Sequence, residues 1–189
     1  PLSKKAAEKL GIFPSLALAS LAAWIRQNGF AVSLVDLHVE NVYPKAAASR
    51  VRDYDPHIVA LTSKTLGWPA VIEIAQMVRE TCPNAVIVVG GPQMSIYPEE
   101  SLSWECFDIA VVGDGEETLL DICEHVHSGS DYSNILGTCV RLPTGDVIKN
   151  PPRPLAKDIN KYPMPAWDLL PVTDYHCLTL PFPILQVRK

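Results

Sequence analysis

Two glycine-rich segments of this chain are suited to holding a flat or bulky ligand close to the backbone. They are residues 89–93 (Val-Gly-Gly-Pro-Gln) and 113–118 (Gly-Asp-Gly-Glu-Glu-Thr), and each directly follows a continuous apolar run. Glycine lacks a Cβ, so nothing stands between the peptide plane and such a ligand. Continuous apolar strands are typical of a parallel sheet covered on both faces, and open sheets of this class bind ligands beyond the carboxyl ends of their strands. The two segments therefore predict a shelf that binds a cofactor rather than a catalytic cleft.

Helices and strands must alternate to place these segments at one edge of a sheet, and the sequence shows this alternation. Apolar residues at i, i+3, i+4 and i+7 predict helices, and short apolar runs between turn residues predict strands. The predicted helices are residues 15–28, 45–53 and 68–82, a short helix starting at residue 98, and one that contains residues 119–126 and ends at Gly129. The predicted strands are residues 31–37, 57–63, 85–90 and 109–112. This order indicates an α/β fold with a parallel sheet.

No strand is predicted before the first helix. Residues 1–14 contain no apolar run of strand length, although a doubly wound sheet requires a parallel strand before its first crossover helix. Such a strand would lie in the middle of the sheet, between the predicted strands 31–37 and 57–63. We therefore expect that the chain is a slice of a longer protein and that its first strand is missing from the slice.

The character of the chain changes after the last predicted helix. Residues 137–150 indicate a β-hairpin around a turn at 143–146, and we expect this hairpin to sit outside the sheet. The many prolines that follow disfavour helices and central strands, so we expect an extended arm that docks through Trp167 and Leu170. The predicted organisation is an α/β domain at 1–133, a hairpin appendage at 134–150 and a proline-rich linker at 151–189.

The composition excludes several classes of partner. The chain has 189 residues, 48% of them hydrophobic, and a net charge of -5, so it has no basic footprint for nucleic acid or anionic membranes. No apolar run reaches the length of a membrane span, and the first residues contain no signal-peptide core. The five cysteines form no Cys-x-x-Cys pair, which favours reduced, mostly buried thiols and a cytoplasmic location. No zinc spacing, P-loop, nucleophile elbow or pair of catalytic carboxylates is found, so no residue is predicted to be catalytic.

Six segments carry a resemblance to a known family. They are residues 14–23 (Pro-Ser-Leu-Ala-Leu-Ala-Ser-Leu-Ala-Ala), 55–63 (Asp-Pro-His-Ile-Val-Ala-Leu-Thr-Ser), 89–93, 113–118, 150–154 (Asn-Pro-Pro-Arg-Pro) and 162–168 (Tyr-Pro-Met-Pro-Ala-Trp-Asp). In this order and spacing they resemble the cobalamin-binding (B12-binding) domain that precedes the radical S-adenosylmethionine barrel in cobalamin-dependent radical enzymes. The family usually has Gly-Glu-Gly-Glu where this chain has Gly-Asp-Gly-Glu at residues 113–116, a change that keeps the charge.

The resemblance implies a flavodoxin-like (Rossmann-like), doubly wound sheet that holds cobalamin at its carboxyl edge, with the nucleotide tail of the cofactor running into the sheet. Hydroxyls at the first strand exit would suit the amides and phosphate of the tail, and glycines at the next two exits would pack on the nucleotide base. The candidate cofactor-binding residues are Thr62, Ser63, Thr65, Gly90, Gly91, Pro92, Gln93, Gly113, Asp114, Gly115 and Glu116. The same residue types also fit plain turns, helix caps and the positive end of a helix.

Two further motifs point to other chemistry. Residues 113–118 match a dinucleotide fingerprint, but the strand that it requires and the acidic residue about 20 positions on are absent. Asp36-x-His38-x-x-Asn41 is similar to the Asp-x-His-x-x-Gly motif whose histidine ligates cobalt in other cobalamin proteins. Here the motif lies at the end of the predicted strand 31–37, which is the second strand of the sheet once the missing first strand is counted, whereas in those proteins it follows the first; asparagine also replaces the glycine. We therefore expect His38 to be a loop residue and cobalamin to have no protein histidine ligand.

The resemblance also implies further groups in a parent enzyme. In that family a Cys-x-x-x-Cys-x-x-Cys motif holds a 4Fe-4S cluster that cleaves S-adenosylmethionine to a carbon radical, and some members use cobalamin to transfer a methyl group. This chain lacks the motif, so we expect the cluster and the radical domain beyond Lys189. The leading hypothesis is a domain that presents the corrin to this radical centre, for example for methyl transfer to an unactivated carbon. The alternative is a non-enzymatic flavodoxin-like module, a sensor or carrier for cobalamin or a flavin.

Overall fold

The computed structural model describes residues 13–37, 39–40 and 44–175. The helices are α1 (Leu16–Gln27), α2 (Pro44–Tyr54), α3 (Trp68–Thr81), α4 (Pro92–Ile96), α5 (Pro98–Ser101) and α6 (Glu116–Ser128). The strands are β1 (Ile58–Thr62), β2 (Val86–Gly90), β3 (Ile109–Val111), β4 (Thr138–Arg141) and β5 (Val147–Lys149). The helices and strands follow the predicted order. Where a predicted element is present in the structure, its ends lie close to the predicted ends.

The sheet is mixed, with the strand order β1-β2-β3-β4-β5. The first three strands are parallel, and β4 and β5 are antiparallel to their neighbours. The predicted α/β class and the pairing of the two glycine-terminated strands are therefore confirmed. The prediction that the hairpin sits outside the sheet is wrong, because Thr138 of β4 pairs with Val111 of β3. A hairpin sequence specifies its own turn and register, but not the strand that pairs with its outer edge.

Helices cover both faces of this sheet. On one face, α1 and α6 pack over the strands through a cluster that includes Trp24, Ile122 and Val88. On the other face, α3 contributes Val78 to a cluster with Ile87 and Val89 of β2. Neighbouring residues of β2 thus enter opposite cores, so the strand is apolar at every position and reads as a continuous run.

The helix boundaries follow capping rules, with one short helix that the sequence analysis did not predict. The N-cap of α1 is Ser15, whose Oγ accepts a hydrogen bond from the Leu18 N–H at 3.4 Å. Gly129 closes α6 with a left-handed φ of 67°. The unpredicted helix is α4, which has five residues and starts at Pro92, a favoured first helical residue. Five residues are too few to show a helical period.

The predicted strand at residues 31–37 is not a strand in the structure. Residues 31–36 have no regular secondary structure, and Val32 and Leu34 pack against Ala22 and Ala23 of α1. The apolar residues that suggested a strand therefore pack against α1. A strand also needs a paired neighbour, and none of the described strands pairs with this segment. The sequence before the first helix, where a strand was expected to be missing, lies mostly outside the described residues.

The proline-rich arm lies along α1 and α6. Ala166 and Leu170 are buried, and Trp167 is half-buried. Of the two residues predicted to dock the arm, Leu170 is therefore the more fully buried. The Ala166 N–H donates to the Ala19 carbonyl of α1 at 2.9 Å. Two short 3-10 turns, Ile159–Lys161 and Trp167–Leu169, are the regular structure of the arm within its described part.

Polar contacts join the arm to the first turns of α6. The Arg153 Nε–H donates to Thr118 Oγ1 at 2.8 Å, and Arg153 also pairs with Asp121. The Lys161 Nζ lies 2.7 Å from Glu117 Oε1, and the hydrogen bond with Glu117 raises the pKa of Lys161. The arm therefore stabilises the start of the helix that follows the second glycine-rich segment.

We expect Leu170→Ala to release the arm and Asp168→Ala to leave it in place. Leu170 is 6% exposed, and truncating a buried leucine costs about 2 kcal/mol or more, which corresponds to roughly a thirtyfold or greater rise in the open fraction. Asp168 pairs with Arg26 on an exposed surface, where ion pairs contribute little. Trypsin cleavage at Lys157 and Lys161 measures the difference. Equal cleavage rates in the two variants would show that the apolar contact does not hold the arm.

The cysteines agree with the expectation of reduced, buried thiols. Cys82, Cys106, Cys123 and Cys139 are free, and the last three are buried. Burial raises the pKa of the Cys123 thiol to about 11, which keeps it protonated at neutral pH. Cys177 lies outside the described residues. Within the described residues, no helix combines the length and apolarity that crossing a membrane requires.

Candidate cofactor site

A groove of about 210 Å³ opens at the carboxyl ends of β1, β2 and β3, on the face of the sheet that α1 and α6 cover. Its wall is formed by one side of α1, with Ala17, Leu18 and Leu21. Strand residues, Gly91 after β2, the loop after β3 and the first turn of α6 complete its lining: Ala60, Leu61, Thr62, Val88, Gly90, Gly91, Val111, Gly113, Asp114, Gly115, Glu116 and Leu119. The groove therefore lies where the glycine-rich segments predicted a ligand.

Gly90 and Gly91 have different roles. A Cβ on Gly90 would meet only Val111 Cβ, at 3.9 Å, so the space beside this residue belongs to the groove. Gly91 has φ 95° and ψ -178°, a region that only glycine occupies readily. A Cβ there would lie 2.7 Å from the Ser63 carbonyl oxygen and 2.8 Å from Thr62 Oγ1. Gly91 is thus required by the packing of two strand ends.

This geometry gives Gly91 a packing role beside its predicted role as a residue that lines a cofactor shelf. If Gly91 only lined a shelf, a leucine there would block the ligand and leave the fold intact. The contacts with Thr62 and Ser63 show instead that any side chain at Gly91 would push the end of β2 away from the end of β1. Glycine composition alone cannot distinguish an approach by a ligand from an approach by the protein's own backbone.

The ends of β1 and β2 are joined by backbone hydrogen bonds beyond the strands. The Ser63 N–H donates to the Gly90 carbonyl at 3.0 Å, and the Gln93 N–H donates to the Ser63 carbonyl at 3.3 Å. These bonds keep the two exits together and leave Thr62, the last residue of β1, in the lining of the groove.

The third strand exit adds a turn and an acidic rim. Gly113 has φ 84°, and a Cβ on it would meet no atom within 4 Å. A Cβ on Gly115 would lie 3.2 Å from Leu21 Cδ2, so α1 and the start of α6 approach closely here. Glu116 and Glu117 occupy the first turn of α6, where their negative charge interacts favourably with the positive end of the helix dipole.

The structure brings together seven of the predicted site residues and places four outside the groove. The seven that line it are Thr62, Gly90, Gly91, Gly113, Asp114, Gly115 and Glu116. Of the other four, Thr65 and Pro92 are exposed, and Ser63 is buried with its Oγ donating to the Lys64 carbonyl at 2.9 Å. Gln93 is buried, and its Oε1 has no hydrogen-bond partner among the described residues. Contact of any of these residues with a ligand stays a prediction.

Sequence reasoning missed the wall that α1 contributes. Their spacing marks Leu18 and Leu21 as part of the apolar face of a helix but does not show what that face covers, and the structure places them with Ala17 over the groove. The small side chain of Ala60 is exposed in the middle of an apolar strand. A small residue at such a position is a sequence signal that a neighbour lies close to the strand.

The lining favours an uncharged, flat group. Its walls are largely apolar, its charged members are Asp114 and Glu116, and no lysine or arginine lines it. A phosphate would meet repulsion there. A volume of about 210 Å³ is also smaller than the roughly 300 Å³ or more of pockets that enclose a drug-sized ligand. The groove thus admits one ring system of a large molecule, and the remainder must lie outside.

Within the described residues, no group of three or more histidine, cysteine or acidic side chains is arranged to bind a metal. His38 and Asn41, which complete the motif similar to a cobalt-ligating sequence, lie outside the described residues. Asp36 of this motif is buried, and its Oδ2 accepts a hydrogen bond from the Tyr175 hydroxyl of the arm at 2.8 Å. Burial and this bond raise the pKa of Tyr175.

The sequence similarity to curated relatives covers most of the chain. A methyltransferase of Pyrococcus horikoshii, described as uncharacterized, is 29% identical over 177 residues, which are 93% of this chain and 38% of that protein. An anaerobic magnesium-protoporphyrin IX monomethyl ester cyclase of Rubrivivax gelatinosus is 26% identical over 169 residues, which are 87% of this chain and 30% of that protein. The chain therefore spans well under half the length of these relatives.

Solved structures share the fold. The radical S-adenosylmethionine methyltransferase TsrM from Kitasatospora setae, solved with cobalamin and a [4Fe-4S] cluster, is 21% identical with a TM-score of 0.67, over 83% of this chain and 29% of TsrM. The cobalamin-dependent S-adenosylmethionine radical enzyme OxsB, solved with aqua-cobalamin, is 21% identical with a TM-score of 0.72, over 82% of this chain and 22% of OxsB. At this identity the likeness concerns the fold.

The sequence model of the B12 binding domain matches residues 6–122. This range contains α1, the parallel strands β1 to β3 and the start of α6, and so every residue that lines the groove. The match covers more than half of the chain and agrees with an open α/β sheet that has a ligand groove at its carboxyl edge. The chain therefore belongs to the B12-binding domain family.

Proposed function

We propose that the chain binds cobalamin with the nucleotide base of its tail in the groove and the corrin outside it, at the carboxyl edge of the sheet. The observation that carries this proposal is the groove itself: its largely apolar lining suits a neutral aromatic base, and its size excludes the corrin. When bound, cobalamin supplies a cobalt centre that can accept and donate a methyl group. The protein residues hold the tail, exclude water from it and orient the ring.

The residues have separate parts in this proposal. Leu18, Leu21 and Val111 contact the faces of the base, and Gly90 leaves the space for it. Thr62 offers a hydroxyl at the mouth of the groove. The other predicted site residues in the lining, Gly91, Gly113, Asp114, Gly115 and Glu116, shape its rim. Thr65 and Pro92 are exposed beside the same strand ends and are candidates for contacts with the corrin amides, while Ser63 and Gln93 are buried supports.

We further propose that no protein histidine ligates the cobalt. The basis is the sequence of residues 36–41, in which the motif follows the wrong predicted strand and lacks its glycine. His38→Ala should leave the visible spectrum and the affinity for cobalamin unchanged. Electron paramagnetic resonance of the cob(II)alamin form is the measurement. Loss of a nitrogen hyperfine coupling in the variant would show that His38 is a ligand after all.

For the complete protein, we propose a radical S-adenosylmethionine enzyme that uses the bound corrin for methyl transfer. The support is the fold shared with TsrM and OxsB and the similarity to a methyltransferase and a cyclase that are much longer than this chain. The 4Fe-4S cluster and S-adenosylmethionine would then belong to a domain in the same polypeptide. The free thiols fit a cytoplasmic enzyme, and the net charge of -5 does not favour nucleic acid as a partner.

Anaerobic reconstitution of the complete gene product with iron, sulfide and cobalamin tests this proposal. We expect corrin absorbance, a cluster signal in electron paramagnetic resonance and consumption of S-adenosylmethionine. A corrin spectrum without a cluster would contradict the enzyme and indicate a cobalamin carrier or sensor. A flavin spectrum would contradict the cofactor itself.

A further inference from the structure

A second cavity lies at the opposite edge of the sheet from the groove. Asp108 comes directly before β3, and the N–H of Arg141, at the end of the antiparallel strand β4, donates to the Asp108 carbonyl at 2.8 Å. The cavity therefore borders the amino ends of the parallel strands, and it shares no lining residue with the groove. Its volume of about 340 Å³ is within the range of roughly 300–1,000 Å³ of pockets that hold small molecules. It is lined by Glu105, Asp108, Tyr132, Arg141, Leu142, Pro143 and Gly145.

The guanidinium of Arg141 has too few hydrogen-bond acceptors in this lining. Its Nη1 donates to the Gly145 carbonyl at 3.2 Å, whereas its Nε and Nη2 are enclosed and have no hydrogen-bond partner among the described residues. A guanidinium stays charged at neutral pH, and buried donors without an acceptor cost free energy. An unsatisfied group of this kind indicates that an acceptor is missing from the site.

Asp108, an acid of the same lining, is committed to other partners. Its Oδ2 accepts hydrogen bonds from Arg79 and from the Ile87 N–H, the latter at 2.7 Å. Arg79 also donates to the Ala85 carbonyl at 3.0 Å. These bonds tie the last turns of α3 to the starts of β2 and β3, so this ion pair has a structural role. The acceptor for the free edge of Arg141 must therefore come from elsewhere.

The free edge of Arg141 has the geometry of a carboxylate-binding fork. Nε and Nη2 lie on one edge of the planar guanidinium, and two parallel N–H groups match the two oxygens of a carboxylate. We propose that the cavity binds a small carboxylic acid whose carboxylate accepts both N–H groups. The single 3.2 Å bond to Gly145 holds the guanidinium, so a rotation of the side chain presents this edge to the cavity. The inference concerns the amino edge of the sheet and is independent of cobalamin binding.

The other lining residues indicate the body of the ligand. Tyr132, Leu142 and Pro143 contribute aromatic and aliphatic side chains, which suit an apolar group. Glu105 is exposed in the lining, and its negative charge disfavours a phosphate more than a carboxylate, because the phosphate carries more charge. The expected ligand is therefore a monocarboxylate with an apolar body.

Saturation-transfer difference NMR of the complete protein with benzoate tests this site. Benzamide is the matched probe, because it has nearly the same shape and no charge. We expect saturable binding of benzoate, no saturable binding of benzamide, and no displacement of benzoate by inorganic phosphate beyond the effect of chloride at equal ionic strength. Equal binding of the two probes, or no saturable binding of benzoate, would overturn the proposal. Displacement by phosphate at lower concentrations than benzoate itself would show that the site prefers phosphate and would overturn the carboxylate assignment.

Variants of Arg141 assign the binding to its fork. We expect Arg141→Gln to weaken benzoate binding roughly tenfold or more, and Arg141→Lys, which keeps the charge but loses the fork, to weaken it less. Arg52→Gln is the matched control, because Arg52 is exposed on α2 and does not line the cavity. Unchanged affinity in Arg141→Gln would refute the assignment. If Arg141→Gln does not fold, Arg141→Lys decides, and an affinity equal to that of the unmodified protein would count against the fork.

Thermal unfolding separates ligand binding from a structural role of the arginine. Saturating benzoate should raise the thermal midpoint of the unmodified protein and of Arg52→Gln, but not that of Arg141→Gln. If Arg141 served only to hold the turn through the Gly145 carbonyl, Arg141→Gln would lower the midpoint without benzoate and would keep the rise that benzoate causes. That result would contradict a carboxylate site at Arg141.

Discussion

Gly90→Leu is expected to lower the affinity for cobalamin about 10- to 100-fold while the domain stays folded. Gly90 lines the groove, and a Cβ on it would meet only Val111 Cβ at 3.9 Å, so the backbone accepts a side chain. The rest of the leucine would then occupy the space assigned to the nucleotide base. Overfilling a packed site costs about 1–3 kcal/mol, and each 1.4 kcal/mol is a factor of ten in affinity. A titration followed by corrin absorbance measures the effect.

Two controls make this result specific. Gly90→Ala adds one carbon and should have a smaller effect than leucine. Gln76→Leu adds the same leucine on the exposed side of α3, on the opposite face of the sheet, and should leave the affinity unchanged. Undiminished affinity in Gly90→Leu would show that the tail lies elsewhere. A similar loss in Gln76→Leu would show that the effect on binding is not local.

Gly91→Ala is expected to destabilise the domain by about 3 kcal/mol or more. The residue has a φ of 95° and a ψ of -178°, which costs a residue with a Cβ roughly 1–3 kcal/mol. Its Cβ would also lie 2.7 Å from a backbone oxygen, that of Ser63, which cannot move without shifting the end of β1. The cost of the backbone conformation and the cost of the contact with Ser63 add, because an alanine at this position experiences both. Urea denaturation gives the free energy of unfolding.

Gly113→Ala is the matched control. Gly113 also has a left-handed φ, 84°, but a Cβ there would meet no atom within 4 Å. In this variant only the cost of the left-handed backbone conformation remains, about 1–2 kcal/mol of the free energy of unfolding. If the two alanine variants lose the same stability, then the contact between the ends of β1 and β2 contributes nothing and the distinction between the glycines is wrong.

Local patterns were enough to predict the helices and parallel strands that form the site. β2 reads as a continuous apolar run because Ile87 and Val88 enter opposite cores. α6 could be ended at Gly129 because a left-handed residue there is a local requirement. The groove was predictable in outline for the same reason, since its position depends on where parallel strands end.

Features that depend on distant pairing were not predictable. The hairpin strand β4 joins the sheet through Thr138 and Val111, which are far apart in sequence. Residues 31–36 have the apolar pattern of a strand but no paired neighbour among the described strands. A sequence pattern shows that a segment is suited to a strand, but it does not show whether a neighbour pairs with it. The wall formed by Leu18 and Leu21 is a property of how α1 lies over the sheet. Each of these follows from tertiary contacts that a single sequence does not encode locally.

The position of the cobalamin tail is the central claim, and nuclear Overhauser effects between cofactor and protein measure it directly. With diamagnetic cob(III)alamin bound, the aromatic protons of the benzimidazole should show contacts to the methyl groups of Leu18, Leu21 and Val111, which line the groove. Methyl groups of Ile74 and Val78, in the core on the other face, should show none. Bound cobalamin without contacts to the three groove residues would contradict the account.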